Sequence, residues 1–199
     1  MRLVDFMQLV DALIGAAQLY AIIDPLGAVP LLAVLPNYER LHERFLKLVA
    51  ITVPSLLLLF ALAGPYIFYV FNININGFRA AGGILLLVIA IDILREGAPR
   101  TMGINPEDYV IVPIITPMLV GPGAITSVMV MATYYNPLSL VLAIAIASAL
   151  TYLTMRYSLL LIKLVGSNTL KIFSRFFSLI VAAWAVQLIA DGFLGLIKS

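Results

Sequence analysis

The chain contains no cysteine, so disulfide bonds, thiolate metal ligands and thiol redox chemistry are excluded. Its one histidine, His42, leaves no histidine cluster for a metal ion, and no cofactor is expected. Charge is also scarce, because Asp, Glu, Lys and Arg make up 11% of the 199 residues, against about 25% in soluble domains. The formal net charge of +2 is too small to indicate a nucleic-acid partner.

Apolar residues are what the chain has in excess. They make up 63% of the sequence, which is more than one globular core of this size can bury. The sequence therefore predicts a single transmembrane domain over residues 1–199, with the lipid bilayer as its solvent. The first apolar stretch runs well past residue 30 without a small-residue cleavage site, so it is interpreted as a span and not as a signal peptide.

Six stretches have the roughly 20 mostly apolar residues that a bilayer span needs. Only helices and closed barrels satisfy their backbone in lipid, and strand-like alternation is absent, so the predicted fold class is an all-α polytopic membrane protein. Charged or polar connectors are expected at 37–45, 95–108 and 164–169. The six helices are expected at about 6–35, 46–71, 77–94, 109–134, 138–163 and 170–195.

The basic residues indicate how the helices lie in the membrane. Six spans place both termini on one side, together with Arg2, Arg79 and Lys198. The positive-inside rule makes the more basic side cytoplasmic, so both termini are expected to face outward from the cytoplasmic cell membrane. The more basic side carries Arg40, Arg44, Lys47, Arg95, Arg100, Lys163, Lys171 and Arg175.

The two halves of the chain resemble each other. Spans one and four are each interrupted by Pro and Gly, in "DPLGAVP" and "TPMLVGPG", and spans three and six each begin with an Arg at the boundary. Because three spans is an odd number, the second copy must enter the membrane from the opposite side. This predicts inverted repeats of three helices, at about 1–95 and 106–199, with a cytoplasmic linker at about 95–108 and helices 1 and 4 broken at mid-membrane.

The interruptions point to a binding site. Proline breaks the helical hydrogen-bond ladder and glycine permits non-helical dihedrals, and unwound backbone is tolerated in a membrane only inside protein or beside a water-filled cavity. After each break a new half-helix begins, around Ala28 and Ala124, whose free N–H groups favour an anion. Single prolines such as Pro54 and Pro65 are interpreted as kinks, and a kink is also the simpler alternative for the paired clusters.

These residues resemble the MarC family of six-helix membrane proteins, which includes SnatA-type transporters. "IIDPLGAVPLL" is similar to the first family motif, and "PIITPMLVGPGAITSVM" to the second. "FRAAGGILLLVIAIDIL" and "RFFSLIVAAWAVQLIADG" match the third and sixth family helices. The resemblance implies transport of small neutral amino acids such as glycine and alanine, driven by an ion gradient. The motifs fall on Asp24, Pro25, Gly27, Ala28, Pro30, Pro113, Pro117, Gly121, Pro122, Gly123, Ala124, Ile125 and Thr126.

Two positions depart from the family pattern, because Asp24 and Ala28 stand where the family more often has Asn. Three roles for Asp24 are open: a cap for the following half-helix, a protonation site that couples transport, or a partner for a substrate ammonium. Gln187, with Thr116, Thr126 and Ser127, is a candidate lining for a polar cavity. The predicted substrate-binding residues are Asp24, Pro25, Gly27, Ala28, Thr116, Gly121, Pro122, Gly123, Ala124 and Thr126.

Other polar and aromatic residues are assigned to the membrane boundaries. Arg156 is expected to snorkel to the cytoplasmic interface, and the alternative is that Asp92 pairs with Arg156 or with Arg95. His42 is expected on a solvated loop, next to several charged residues. The tyrosines that we assign to an outer interfacial belt are Tyr66, Tyr69, Tyr134 and Tyr135.

The function expected from these features is alternating-access transport of a small neutral amino acid, coupled to protons. A passive channel or facilitator, or an exporter of another small solute, is the alternative. An enzyme is not expected, because the one histidine lies in a loop and because Asp24 and Asp92 are predicted at different depths. The expected partners are the substrate and the bilayer, and a homo-oligomer is left open.

Overall fold

The computed structural model describes residues 2–32, 38–96 and 119–198, and this part of the chain is helical with short turns and no strand. The all-α fold class is therefore confirmed. The helices are α1 Arg2–Ile23, α2 Pro25–Leu32, α3 Tyr38–Val70, α4 Ile75–Glu96, α5 Pro122–Met131, α6 Pro137–Arg156, α7 Ser158–Val165 and α8 Ser167–Lys198.

The apolar surface of the helices faces outward. Within residues 2–32, 38–96 and 119–198, five segments are long and apolar enough to span a membrane, yet only 22–39% of the most apolar part of each segment is buried within the protein. Large side chains such as Leu62 and Phe176 are more than half exposed. Soluble proteins rarely expose this much contiguous apolar surface, so the chain is a polytopic membrane protein. The five segments are Phe6–Pro30, His42–Val70, Ile75–Arg95, Pro137–Arg156 and Ser167–Lys198.

Three predicted boundaries need correction. The connector expected at 37–45 is largely helical, because α3 begins at Tyr38 and carries its backbone hydrogen bonds beyond the apolar segment. The span expected at 138–163 is divided at Tyr157 into α6 and α7, and α8 begins at Ser167, inside the expected 164–169 connector. The first half of the expected 109–134 span lies outside the described residues.

Two residues assigned to the cytoplasmic boundary meet where α3 passes the end of α6. His42 lies on α3 and not in a loop, with its Nε2 atom 3.3 Å from the carbonyl oxygen of Arg156. Arg156 is exposed, as expected, and its guanidinium donates to the Tyr152 hydroxyl at 3.2 Å. Within the described residues, Asp92 forms an ion pair with neither Arg156 nor Arg95.

Two short half-helices, α2 and α5, occupy the interior of the bundle. Val29 and Leu32 of α2 and Val128 and Met131 of α5 are completely buried, and they belong to one apolar cluster with residues of α3 and α6. Lipid-exposed helices therefore surround two half-helices that do not reach the surface over most of their length. This arrangement places the break at Asp24 and the start of α5 inside protein.

Helices α4 and α8 run antiparallel in close contact. A Cβ atom added at Gly83 would lie 2.7 Å from the carbonyl oxygen of Ala185, and one added at Gly192 would lie 2.6 Å from the backbone nitrogen of Ala80. The two backbones approach this closely because both helices carry glycine at the contact, as is common between membrane helices.

The packing has the pattern expected for two inverted repeats. The repeat makes α2 equivalent to α5, α3 to α6 and α4 to α8. In this equivalence, the α2–α8 contact corresponds to the α5–α4 contact. The α3–α5 contact likewise corresponds to the α6–α2 contact. All four contacts are present. The equivalent helices α4 and α8 are antiparallel, as inversion requires.

Replacing Gly83 with Ala should weaken the contact between α4 and α8. The added methyl group meets backbone atoms that cannot rotate away, and overpacking of this kind costs about 1–3 kcal/mol. Thermal unfolding in detergent should therefore occur at a lower temperature. Gly77→Ala on the same helix is the matched control, because its Cβ meets nothing within 4 Å and alanine favours a helix. Equal melting temperatures for the two variants would contradict this packing.

Candidate functional site

The break between α1 and α2 is centred on Asp24. Its φ of 46° lies in the left-handed region, which Asp and Asn tolerate better than most residues do. The Asp24 N–H still donates to the Tyr20 carbonyl at 3.1 Å, which closes the end of α1. Its carboxylate oxygen Oδ1 accepts the Gly27 N–H at 3.1 Å, which caps the start of α2. One residue therefore ends one helix and begins the next.

The second carboxylate oxygen of Asp24 connects the two halves of the chain. Oδ2 accepts a hydrogen bond from the hydroxyl of Ser174, a buried residue on α8. Gly27 makes room for this contact, because a Cβ atom there would lie 2.6 Å from Ser174 Oγ and would also collide with the Asp24 carboxylate. The glycine of the first motif is thus required by the Asp24–Ser174 contact.

The start of α5, where the sequence predicts the second break, is built differently. Gly121 is the N-cap in an extended conformation, Pro122 follows at the first helical position, and Gly121 has no side chain with which to cap the helix. The N–H groups of Gly123 and Ala124 lie in the first turn, where no intrahelical carbonyl is available to them. Among the described residues, no side chain compensates the positive end of the α5 dipole.

Both breaks line a single cavity of about 170 Å³. The first break contributes Asp24, Gly27 and Ala28, and the second contributes Gly121 through Ala124. The remaining lining is apolar except for Asp92, and α4 provides the longest wall. That wall comprises Leu85, Leu86, Val88, Ile89, Asp92 and Ile93, and Ala21, Ile22, Ile23 and Val181 complete the lining.

The described lining of this cavity is electrostatically divided. Its charged side chains are two carboxylates, Asp24 and Asp92, and it contains no basic side chain. The free amino-terminal end of α5 supplies the opposite polarity. A solute that carries both an anionic and a cationic group is therefore complementary to the cavity.

Most of the predicted substrate-binding residues line this cavity, but Pro25 and Thr126 do not. Pro25 is buried beneath it and does not line it. Thr126 faces away from the cavity, since its side chain packs against Gly82 of α4. Thr116 lies outside the described residues. The neighbouring Ser127 bonds its hydroxyl to the Gly123 carbonyl at 2.6 Å, inside its own helix.

Sequence reasoning did not assign two residues, Ser174 and Asp92, to the site. Ser174 gives no local signal, because its partner Asp24 is 150 residues away. Asp92 and Asp24 line the same cavity, which is compatible with the different depths expected for them. The cavity follows α4 from Leu85 to Ile93, which at 1.5 Å per residue is about 12 Å along the helix axis.

The fold and the cavity define a polytopic helical membrane protein in which the break at Asp24 and the start of α5 line one interior cavity. The chain belongs to the MarC family, because the model described as "MarC family integral membrane protein" matches residues 10–197. This confirms the resemblance drawn from the motifs.

Curated relatives match the chain over nearly its whole length. One UPF0056 membrane protein of Methanocaldococcus jannaschii is 33% identical, covering 95% of this chain and 98% of the relative. A second from the same organism is 34% identical, covering 100% of this chain and 93% of the relative. A UPF0056 membrane protein of Pyrococcus abyssi is 33% identical over 89% of this chain and 91% of the relative. No solved structure matches the chain.

Asp24→Ala should destabilise the protein where Asp24→Asn does not. Alanine loses the cap and is strained at positive φ, which together cost about 2 kcal/mol. Asparagine tolerates this φ, caps Gly27 with its carbonyl and can donate to Ser174 through its amide. Thermal unfolding in detergent measures the difference. An equal loss for both variants would mean that the charge of Asp24, and not its cap, stabilises the break.

Proposed function

We propose that this protein is a secondary transporter of small neutral amino acids that works by alternating access and is coupled to protons. The observation that carries the proposal is the single small cavity at which both helix breaks meet. Interrupted helices in equivalent positions of two inverted repeats are the arrangement by which secondary transporters build a solute site near the centre of the membrane. We propose no enzymatic activity.

The size of the cavity favours a very small solute. Its volume of about 170 Å³ is below the roughly 300–1,000 Å³ of pockets for drug-sized ligands. It is close to that of an engineered cavity of about 150 Å³ that accepts benzene. Benzene and alanine have the same number of non-hydrogen atoms. Glycine and alanine therefore fit, whereas a large side chain requires the walls to move.

The difference between the two breaks orients the solute. The amino-terminal end of α2 is already neutralised by the Asp24 carboxylate, whereas no described side chain neutralises the end of α5. We place the substrate carboxylate at the N–H groups of Gly123 and Ala124, and the substrate ammonium at Asp24. The apolar α4 wall then faces the short side chain, which accounts for a preference for neutral amino acids.

Coupling follows from the cost of an unpaired carboxylate. A charged side chain in the bilayer interior costs at least a few kcal/mol. The substrate ammonium neutralises Asp24 when the site is occupied, and a proton does so when the site is empty. Exchange of the two at one carboxylate links substrate movement to proton movement.

Labelled glycine and alanine should accumulate in proteoliposomes under an imposed pH gradient, and Asp24→Asn should abolish the gradient-dependent part. The substitution keeps the backbone geometry but removes the group that exchanges ammonium for a proton. Asp11→Asn is the matched control, because Asp11 is an exposed carboxylate on the same helix and lines neither break.

Three results would change this assignment. Accumulation that survives Asp24→Asn would leave a transporter in which Asp24 is only a helix cap. Equilibration without accumulation would identify a facilitator. The absence of uptake by the wild-type protein and by Asp11→Asn would overturn the amino-acid assignment.

The same assay should show selection by size. Unlabelled glycine, alanine and serine should compete with labelled alanine, whereas leucine and phenylalanine should not, because the apolar α4 wall leaves no room for them. Competition by phenylalanine as strong as that by glycine would show that the cavity does not determine the specificity.

A further inference from the structure

A second cavity, of about 320 Å³, lies at the end of the bundle that carries the 132–136 turn. The lining of this cavity is more polar than that of the first cavity. Its polar residues come from α1, α4, α8 and the 132–136 turn. Tyr134 and Tyr135, which were expected in an interfacial belt, form part of it. Its lining comprises Gln18, Arg79, Tyr134, Tyr135, Trp184, Gln187, Leu188 and Asp191.

The Arg79 guanidinium is held at this cavity with part of its hydrogen-bonding capacity unused. One terminal nitrogen donates to the Thr133 hydroxyl at 2.9 Å, and the guanidinium carbon lies 5.6 Å from the centre of the Tyr134 ring. The Nε atom is buried and has no hydrogen-bond partner among the described residues. Because a guanidinium carries five donors and an unpaired buried donor is costly, the site favours an acceptor such as a carboxylate.

An acidic side chain lines the same cavity without neutralising the arginine. Asp191 of α8 lies on the wall with Arg79 of α4, and within the described residues the two charges form no ion pair. Gln18 accepts from the Tyr135 hydroxyl at 3.4 Å, which leaves its amide N–H groups as further donors. A cation and an anion that face one cavity without pairing are complementary to a zwitterion.

An apolar cluster separates the two cavities. It comprises Ala21, Leu86, Ala90, Val130, Val181, Ala185 and Leu188, with Trp184 packed against it. Leu86 and Val181 line the first cavity, whereas Leu188 and Trp184 line the second. The α1 and α4 residues that line the second cavity come earlier in the chain than those that line the first. The residues of the antiparallel α8 that line the second cavity come later in the chain than Val181, which lines the first. The second cavity therefore lies on the opposite side of the apolar cluster from the Asp24 cavity.

We propose that the Arg79 cavity is a second binding site for amino-acid zwitterions, with Arg79 taking the carboxylate and Asp191 the ammonium. Its larger volume allows a wider range of side chains than the Asp24 cavity does. We further propose that substrate enters through this cavity, on one side of the closed apolar cluster, and this role rests on the proposed function. The binding itself does not, because it depends only on the residues of this cavity.

The one tryptophan of the chain, Trp184, is a reporter on the wall of this cavity. Titration of the purified protein in detergent with alanine should change the Trp184 fluorescence saturably, whereas acetate or methylammonium alone should act only at much higher concentration. Arg79→Gln should weaken the apparent affinity at least about tenfold, the effect of losing a hydrogen bond to a charged group. Arg95→Gln, at the other end of α4, is the matched control and should leave the titration unchanged.

Two further variants keep the result interpretable. Asp191→Asn, at an exposed position, should also weaken alanine binding, even if Arg79→Gln proves poorly folded. Asp24→Asn should leave the fluorescence titration intact.

A titration lost in Asp24→Asn but kept in Arg79→Gln would assign the signal to the first cavity and overturn this proposal. Acetate binding as tight as alanine binding would overturn the zwitterion assignment. Uptake without any such titration would overturn this site alone, and titration without uptake would overturn the proposed function alone.

Discussion

A backbone that leaves the helical conformation inside a bilayer must satisfy its polar groups locally, and Asp24 meets this requirement at the first break. The residue closes α1 with its own N–H, adopts a positive φ, caps α2 through Gly27 and receives the Ser174 hydroxyl from α8. These bonds fix the start of α2, and the Asp24–Ser174 bond joins the two halves of the chain beside the cavity.

The predicted internal repeat makes the difference between its halves informative. Both half-helices begin next to a proline, but α2 carries a carboxylate cap, whereas α5 carries none among the described residues. A perfectly symmetric pair of helix ends would present two positive poles and would hold an anion. The added carboxylate at Asp24 converts this pair into one positive and one negative pole. In the proposed function this asymmetry gives the zwitterion a single orientation.

Most of the fold was predictable because lipid limits the possibilities. Hydropathy gave the helices, and the paired Pro and Gly motifs gave the positions of both breaks and most of the cavity lining. Hydropathy did not give the start of α3, because a helix that passes beyond the bilayer keeps its hydrogen bonds while its side chains become polar. Ser174 and the orientation of Thr126 depend on how helices rotate against distant neighbours, which the periodicity of one sequence does not encode.

The contact between α4 and α8 restricts how the proposed transport cycle can open the apolar cluster. The backbones of the two helices meet at Gly83 and Gly192, where even a methyl group has no space, so sliding one helix along the other would bring side chains into collision. The cluster also contains Ala21, three residues before Asp24 at the end of α1, and Val130, in the last turn of α5. In the proposed transport cycle, a hinge at Asp24 moves Ala21, and a shift of α5 moves Val130, away from the α4–α8 pair. Under that proposal the helix break and α5 serve both as the binding site and as the elements that give access to it.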